Sequence, residues 1–233
     1  MKPIHPQRPS HLSRYASACL TALVQANLAS CISLGGALGL FHYLEYRSTH
    51  DVDAWWADVV TEDQRHAVVQ VLQAVLSAFG EIRVRSWGDV DSVELNQQGK
   101  TVFSFQIARR SAHLEQPVSA GWIDVPLDSL TDLVASKMVA LVERGAPRDF
   151  LDIYTLCQSE LFQVAECWDL WRRRQTLVGS DVDHSRARLA IETHLERIAL
   201  HRPLEKIEDG SQREQARQVR DWFWKEFLQV KDE

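Results

Sequence analysis

The spacing of apolar and polar positions divides the 233-residue chain in two. Up to about residue 126, short apolar runs alternate with helical stretches; from residue 127 the pattern is helical almost to the end. A helix is predicted around residues 10–28, capped by Ser10 or Ser13. Cys31-Ile32-Ser33-Leu34 reads as a short strand, Gly35-Gly36 breaks it, and residues 37–46 have helical composition. Residues 51–56 alternate: Asp51, Asp53 and Trp55 fall on one face, Val52, Ala54 and Trp56 on the other. An amphipathic helix is expected over 61–79, then strands over 82–87, 92–96 and 101–108, the last two joined by a turn at Gln98-Gly99. Residues 121–125 predict another short strand. Helices are expected over 127–144, 148–158, 161–174, 184–200 and 212–230. The fold class is α+β: a mixed sheet with helices over 1–126, then a helical region over 127–233.

Composition changes this picture little. The chain is 45% hydrophobic and 25% charged, as in ordinary globular proteins, and its eight tryptophans allow a large core. The ends, 1–10 and 229–233, read as loose. The net charge of −6 excludes a whole-surface basic footprint for nucleic acid. Local basic groups remain at Arg172-Arg173-Arg174 and at Arg83, Arg85, Arg109 and Arg110. Cys19, Cys31, Cys157 and Cys167 form no CxxC pair and read as buried free thiols. No signal peptide and no run of about 18 apolar residues is found, so the expected location is the cytoplasm, with no membrane partner.

The chemistry concentrates in two places. The first pairs Gly35-Gly36, at a strand-to-helix junction, with Asp51-Val52-Asp53 on the next strand. Glycine lets a backbone approach a ligand closely, and a helix start offers unpaired N–H groups to a phosphate. Two carboxylates about 7 Å apart on one strand face can hold Mg²⁺ jointly with phosphate oxygens. Asp181-Val182-Asp183 lacks the glycine turn and reads as a loop and helix cap. The second place is helical. Lys137 interrupts an apolar stripe of Leu130, Val134 and Leu141 that ends at Arg144; it either snorkels or reaches a phosphate. Asp149 and Asp152 share a helix face, and Arg148 can pair with Asp152. The alternative there is a capped helix start with a local ion pair.

Together these segments resemble the AbiEii/AbiGii-type nucleotidyltransferase toxins of abortive-infection toxin–antitoxin pairs. The matching text is SLGGALGLFHYLEYRSTHDVDAWW and SKMVALVERGAPRDFLDIYTL. It carries the Gly-Gly helix, Arg47-x-Thr49-x-Asp51-x-Asp53, Lys137 to Arg144, and Arg148-Asp149-x-x-Asp152-x-Tyr154. The resemblance implies a nucleotidyltransferase-like fold whose helical region completes the cleft. It implies transfer of a nucleotide from an NTP to an acceptor such as the tRNA 3′ end, with Mg²⁺ and with an antitoxin protein as partner. Asp51 and Asp53 would hold metal; Asp51, Asp53, Lys137 and Asp149 would be catalytic; Gly35, Gly36, Arg47, Thr49 and Arg148 would bind the nucleotide. One departure stands out: Gln106 falls where such enzymes often carry a third carboxylate. Asp149, Glu94 or Asp124 could supply the charge, or the site binds nucleotide or a protein partner without turnover.

Overall fold

The computed structural model describes residues 4–230, and the chain divides into two compact units, Met1–Leu133 and Val134–Glu233. The division falls within the helix Leu130–Glu143. The fold is α+β, with a seven-stranded mixed sheet in the first unit and a helical second unit.

In the first unit the elements run α1 (Arg14–Gln25), β1 (Ile32–Leu34), α2 (Gly36–Phe41), β2 (Asp51–Trp56), α3 (Glu62–Ser77), β3 (Glu81–Trp87), β4 (Val90–Gln97), β5 (Lys100–Arg109), β6 (Val118–Ser119) and β7 (Pro126–Leu127). Ser13 caps α1 by accepting from Ala16 N–H, and Thr61 with Gln64 forms a reciprocal capping box on α3. The strand order is β3-β4-β5-β2-β1-β7-β6. β2 pairs parallel with β5 and β1 parallel with β7; the remaining pairs are antiparallel.

One sheet face is apolar. Val52, Ala54, Trp56, Val93, Leu95, Phe103, Phe105 and Ile107 are buried there with Leu20 and Leu23 of α1 and Val68, Leu72 and Leu76 of α3. The opposite face is polar, because side chains alternate along each strand. The paired registers place Asp53, Gln106, Ser92 and Arg85 in one transverse row on that face, and Asp51, Ser104, Glu94 and Arg83 in the next.

Several expectations change. Residues 121–125 form no strand: Gly121 has φ +81° and Val125 N–H closes a tight turn onto the Ile123 carbonyl, so the chain turns there, flanked by β6 and β7. α2 stops at Phe41, where His42 and Tyr43 N–H bond three residues back and tighten the last turn. The segment around residues 7–11 is tied down rather than loose. Gln7 N–H donates to the His42 carbonyl, and Ser10 and His11 N–H donate to the Glu45 carboxylate at 2.9 and 2.8 Å. Burial opposes ionisation of Glu45, but the bonds from Ser10 and His11 outweigh it and hold its pKa at about 2. Residues 1–3 and 231–233, also expected to be loose, lie outside the described residues.

The second unit contains most of α4 (Leu130–Glu143), then α5 (Pro147–Gln158), α6 (Val164–Leu177), α7 (His184–His201) and α8 (Gly210–Lys225). Its interior is aromatic: Phe150 meets Phe223 at 4.8 Å, Tyr154 meets Trp222 at 5.5 Å, and Trp168 meets Phe227 at 5.2 Å between ring centroids. Asp183 caps α7, and Asp181 accepts from Asp183 N–H and from Arg186. The Arg172–Arg174 run is no basic patch, since successive helix positions diverge by about 100°. Arg174 is buried against Ser136, and Arg173 pairs with Asp169. All four cysteines are free.

The start of α4 carries a prediction. Asp132, buried, accepts from Leu114 N–H and Glu115 N–H at 2.8 and 2.9 Å, bonds Ser129, and pairs with Arg110 at 3.6 Å. Asp132→Ala strands these donors, so it lowers the unfolding free energy by about 3–5 kcal/mol in urea titration. A change below about 1 kcal/mol would show that the network is not needed for stability.

Candidate functional site

The glycine turn and β2 are built as one object. Gly35 N–H donates to the Asp53 carbonyl at 2.8 Å, and the Gly35 carbonyl accepts from Gly39 N–H at 2.7 Å. Gly36 has φ +57°, the left-handed region that glycine enters freely. A Cβ on Gly36 would lie 2.1 Å from Asp53 Oδ2, and one on Gly35 would lie 2.4 Å from Trp55 Nε1. The absence of both side chains is therefore what lets the turn sit against the Asp53 carboxyl. α2 has only six residues, so an anion at its start would meet local N–H groups rather than a long helix dipole.

Asp51 and Asp53 project from the same half-exposed face of β2. Ser104 Oγ donates to Asp51 Oδ1 at 2.8 Å, orienting that carboxylate. Thr49 Oγ1 donates to the Asp51 carbonyl at 3.3 Å, and the Arg47 guanidinium lies over the Phe41 and Tyr46 rings at 5.5 and 5.9 Å. Gly35 and Gly36 thus meet β2 at Trp55 and Asp53, whereas the contacts of Thr49 are with Asp51 and those of Arg47 with Phe41 and Tyr46.

Gln106 stands directly beside Asp53 in the β2–β5 register, an amide where a third carboxylate would complete the set. Its Nε2 reaches Ser104 Oγ at 3.5 Å. Of the acids that could compensate within this unit, Glu94 shares the polar face, two strands or about 9–10 Å from β2. It is held by Arg85 at 3.4 Å. Asp124 lies in the turn segment between β6 and β7, outside the strands. Among the described residues no three His, Cys, Asp or Glu side chains cluster as a ready metal site. A divalent ion here would need oxygen from its ligand, which suits Mg²⁺ bound with phosphate.

Behind the turn lies a buried network that the sequence reading passed over. Arg110 donates to Asp128, with side chains 6% and 1% exposed, and its guanidinium stacks over the Trp55 ring at 5.1 Å. Ser33 Oγ donates to Asp128 Oδ1 at 2.9 Å. Burial raises the Asp128 pKa, with the Arg110 bond and charge pulling the other way. The Ser129-x-x-Asp132 spacing, a helix-capping pattern, was the signal available for this network.

In the second unit, α4 and α5 exchange charges. Lys137 Nζ pairs with Asp152 Oδ2 at 2.6 Å, with side chains 9% and 0% exposed. The Asp149 carboxylate takes Arg144 through two bonds of 2.8 Å and accepts from Ala146 N–H at 3.2 Å, closing the α4–α5 turn. Lys137 therefore neither snorkels nor stands alone, and the partner of Asp152 is Lys137 across the helix pair rather than the local Arg148. Arg148 is exposed at the start of α5.

Two stability outcomes follow from this geometry. Asp152→Ala leaves the Lys137 charge buried without its close partner and costs about 3–5 kcal/mol in urea unfolding, whereas the apolar pair Lys137→Met/Asp152→Leu recovers most of that loss. A double variant as unstable as the single one would contradict the pairing. Gly36→Ala costs at least about 1–2 kcal/mol for a left-handed non-glycine residue, with the Asp53 overlap added, and a thermal melt unchanged from wild type would refute the close approach.

The sequence matches, over residues 18–228, the family model described as "Nucleotidyl transferase AbiEii toxin, Type IV TA system". No curated protein matches the chain. A solved structure of an antigenic nucleotidyltransferase-like protein from Paracoccidioides brasiliensis aligns with a TM-score of 0.40 at 14% identity, covering 81% of this chain and 88% of that one. The family match spans nearly the whole chain and contains every motif described above, so the chain belongs to the AbiEii nucleotidyl transferase toxins of type IV toxin–antitoxin systems.

Proposed function

We propose that this protein transfers a nucleotide from an NTP to an acceptor such as the tRNA 3′ end with Mg²⁺, as the growth-inhibiting member of a pair with a cognate antitoxin protein. The observation that carries the reading is the approach of Gly36 to Asp53: a backbone turn able to cradle phosphate rests against a carboxylate. In the reaction an acceptor hydroxyl attacks the α-phosphorus, the bond to the bridging oxygen breaks, and pyrophosphate leaves with its charge.

The residues at hand fit a divalent ion, because Asp51 and Asp53 offer hard oxygen donors on one strand face beside the glycine cradle. When bound, the ion would neutralise phosphate charge and lower the pKa of the attacking hydroxyl. Ser104 keeps Asp51 Oδ1 occupied, which turns its other oxygen toward the ligand side. Gly36 offers its backbone N–H to the triphosphate, Gly35, whose own N–H is held by the Asp53 carbonyl, keeps the turn open for its approach, and Thr49 and Arg47 shape the approach to β2. Lys137 is assigned a phosphate contact, for which it must give up part of its pairing with Asp152. Arg148 is assigned a nucleotide contact. The catalytic part given to Asp149 operates through the Arg144 pair that fixes the turn before α5. Among the described residues no helix is long and apolar enough to cross a membrane, and the proposed location is the cytoplasm.

Gln106 favours a second reading, a nucleotide binder without turnover. One experiment separates the two: the purified chain with total tRNA, Mg²⁺ and each α-³²P-NTP in turn, beside Asp53→Ala. The expected outcome is labelled RNA with one NTP and background label in the variant. Mg²⁺-dependent NTP binding with no label would replace transfer by binding; neither label nor binding would remove both readings.

A further inference from the structure

The second unit contains a cavity whose lining residues, Arg148 apart, have no part in the proposed nucleotidyl transfer. It has a volume of about 320 Å³, within the size range of small-ligand pockets, and lies among α5, α7 and α8. Its walls are apolar, with Phe150, Leu195, Ile198 and Val219 among them, while Arg148, Arg202 and Arg220 contribute three cations. The cavity is on the far side of α5 from Asp149 and Asp152. At about 100° per residue, Pro147, Phe150 and Leu151 fall on one side of α5 and the two aspartates on the other, with Arg148 between them.

The three guanidinium groups are poorly neutralised. None of the ion pairs formed among the described residues involves Arg148, Arg202 or Arg220. Arg220 donates instead to the carbonyl of Arg202 at 2.7 Å, which brings two like charges to the same wall. Burial first, and then the Arg202 charge, lower the Arg220 pKa, with Glu205 a weaker opposing influence. An apolar cavity edged by three arginines in no ion pair, Arg148 and Arg202 open to solvent and Arg220 half-buried, favours one kind of occupant. It must bring an apolar body to fill the chamber and an anion to relieve the like-charge crowding.

We propose that this cavity is a binding site for a small amphipathic anion: a free molecule with an aromatic or aliphatic body bearing one phosphate, sulfonate or carboxylate. The body packs between Phe150, Leu195, Ile198 and Val219, and the anion is received by Arg202 and Arg220, with Arg148 at the start of α5. Because the site shares no acid with Asp51, Asp53, Asp149 or Asp152, occupancy does not depend on Mg²⁺.

Two fluorescent probes of nearly the same shape test this on the full chain. 8-Anilinonaphthalene-1-sulfonate carries the anion, and N-phenyl-1-naphthylamine has the same body without it. The expected result is saturable binding of the sulfonate to wild type in the absence of Mg²⁺. Arg202→Gln/Arg220→Gln weakens the sulfonate by about tenfold or more, the loss expected for charge-assisted hydrogen bonds, and leaves the neutral probe within about twofold. Ala216→Trp, which fills the cavity, removes both, with melting curves confirming that each variant is folded. Sulfonate binding that survives Ala216→Trp, equal weakening of the two probes by the arginine variant, or no saturable binding to wild type would overturn the proposal. If the arginine variant does not fold, Ala216→Trp alone decides.

Discussion

The parallel pairing of β2 with β5 is the constraint on which the first unit depends. Strand side chains alternate with a period of two, so a one-residue slip would exchange the faces of the sheet. Val52, Ala54, Trp56, Phe105 and Ile107 would leave the core under α1 and α3, and Asp51 and Asp53 would enter it. The apolar face therefore locks the register, and the register sets the chemistry: Asp51 beside Ser104, Asp53 beside Gln106. The glycine turn is fixed to the same strand through Gly35 N–H and the Asp53 carbonyl. Core packing on one face thereby places two carboxylates and a glycine turn on the other.

Buried charge does a second kind of work. Arg110 with Asp128 and Asp132 braces the segment behind the turn, and Lys137–Asp152 and Arg144–Asp149 join α4 to α5. Such pairs contribute little net stability compared with apolar replacements, yet breaking one is costly. Their effect is to select one arrangement of helices. That explains why the conspicuous motif residues Asp149 and Asp152 are fully buried and already bonded.

Most of the fold was legible because its elements are long and periodic. The alternation of residues 51–56 gave the correct faces, and Gln98-Gly99, both with positive φ, made the expected hairpin. β6 and β7 were not legible, since two residues carry no period. The pairing of β2 with β5 joins segments about fifty residues apart, which a local pattern cannot specify. Local reasoning also favoured Arg148 as the partner of Asp152 at i, i+4, whereas the buried Lys137 ammonium needed a counterion and took it. Of the candidate site, the glycine turn and the shared strand face of Asp51 and Asp53 were readable from residue type and spacing. The register places the Gln106 amide beside Asp53. The Arg110 network was not readable, because its members lie far apart in sequence and only the Ser129–Asp132 cap leaves a local trace.

The central claim is that Asp51 and Asp53 hold a divalent ion together with a nucleotide, without a third protein carboxylate at Gln106. Electron paramagnetic resonance with Mn²⁺ in place of Mg²⁺ tests this directly, comparing wild type, Asp51→Asn and Asp53→Asn with and without a non-hydrolysable NTP. The account predicts weak Mn²⁺ binding to wild type alone, tight binding when the NTP is added, and loss of the tight site in both variants. Tight, NTP-dependent Mn²⁺ binding that persists in Asp53→Asn would contradict it.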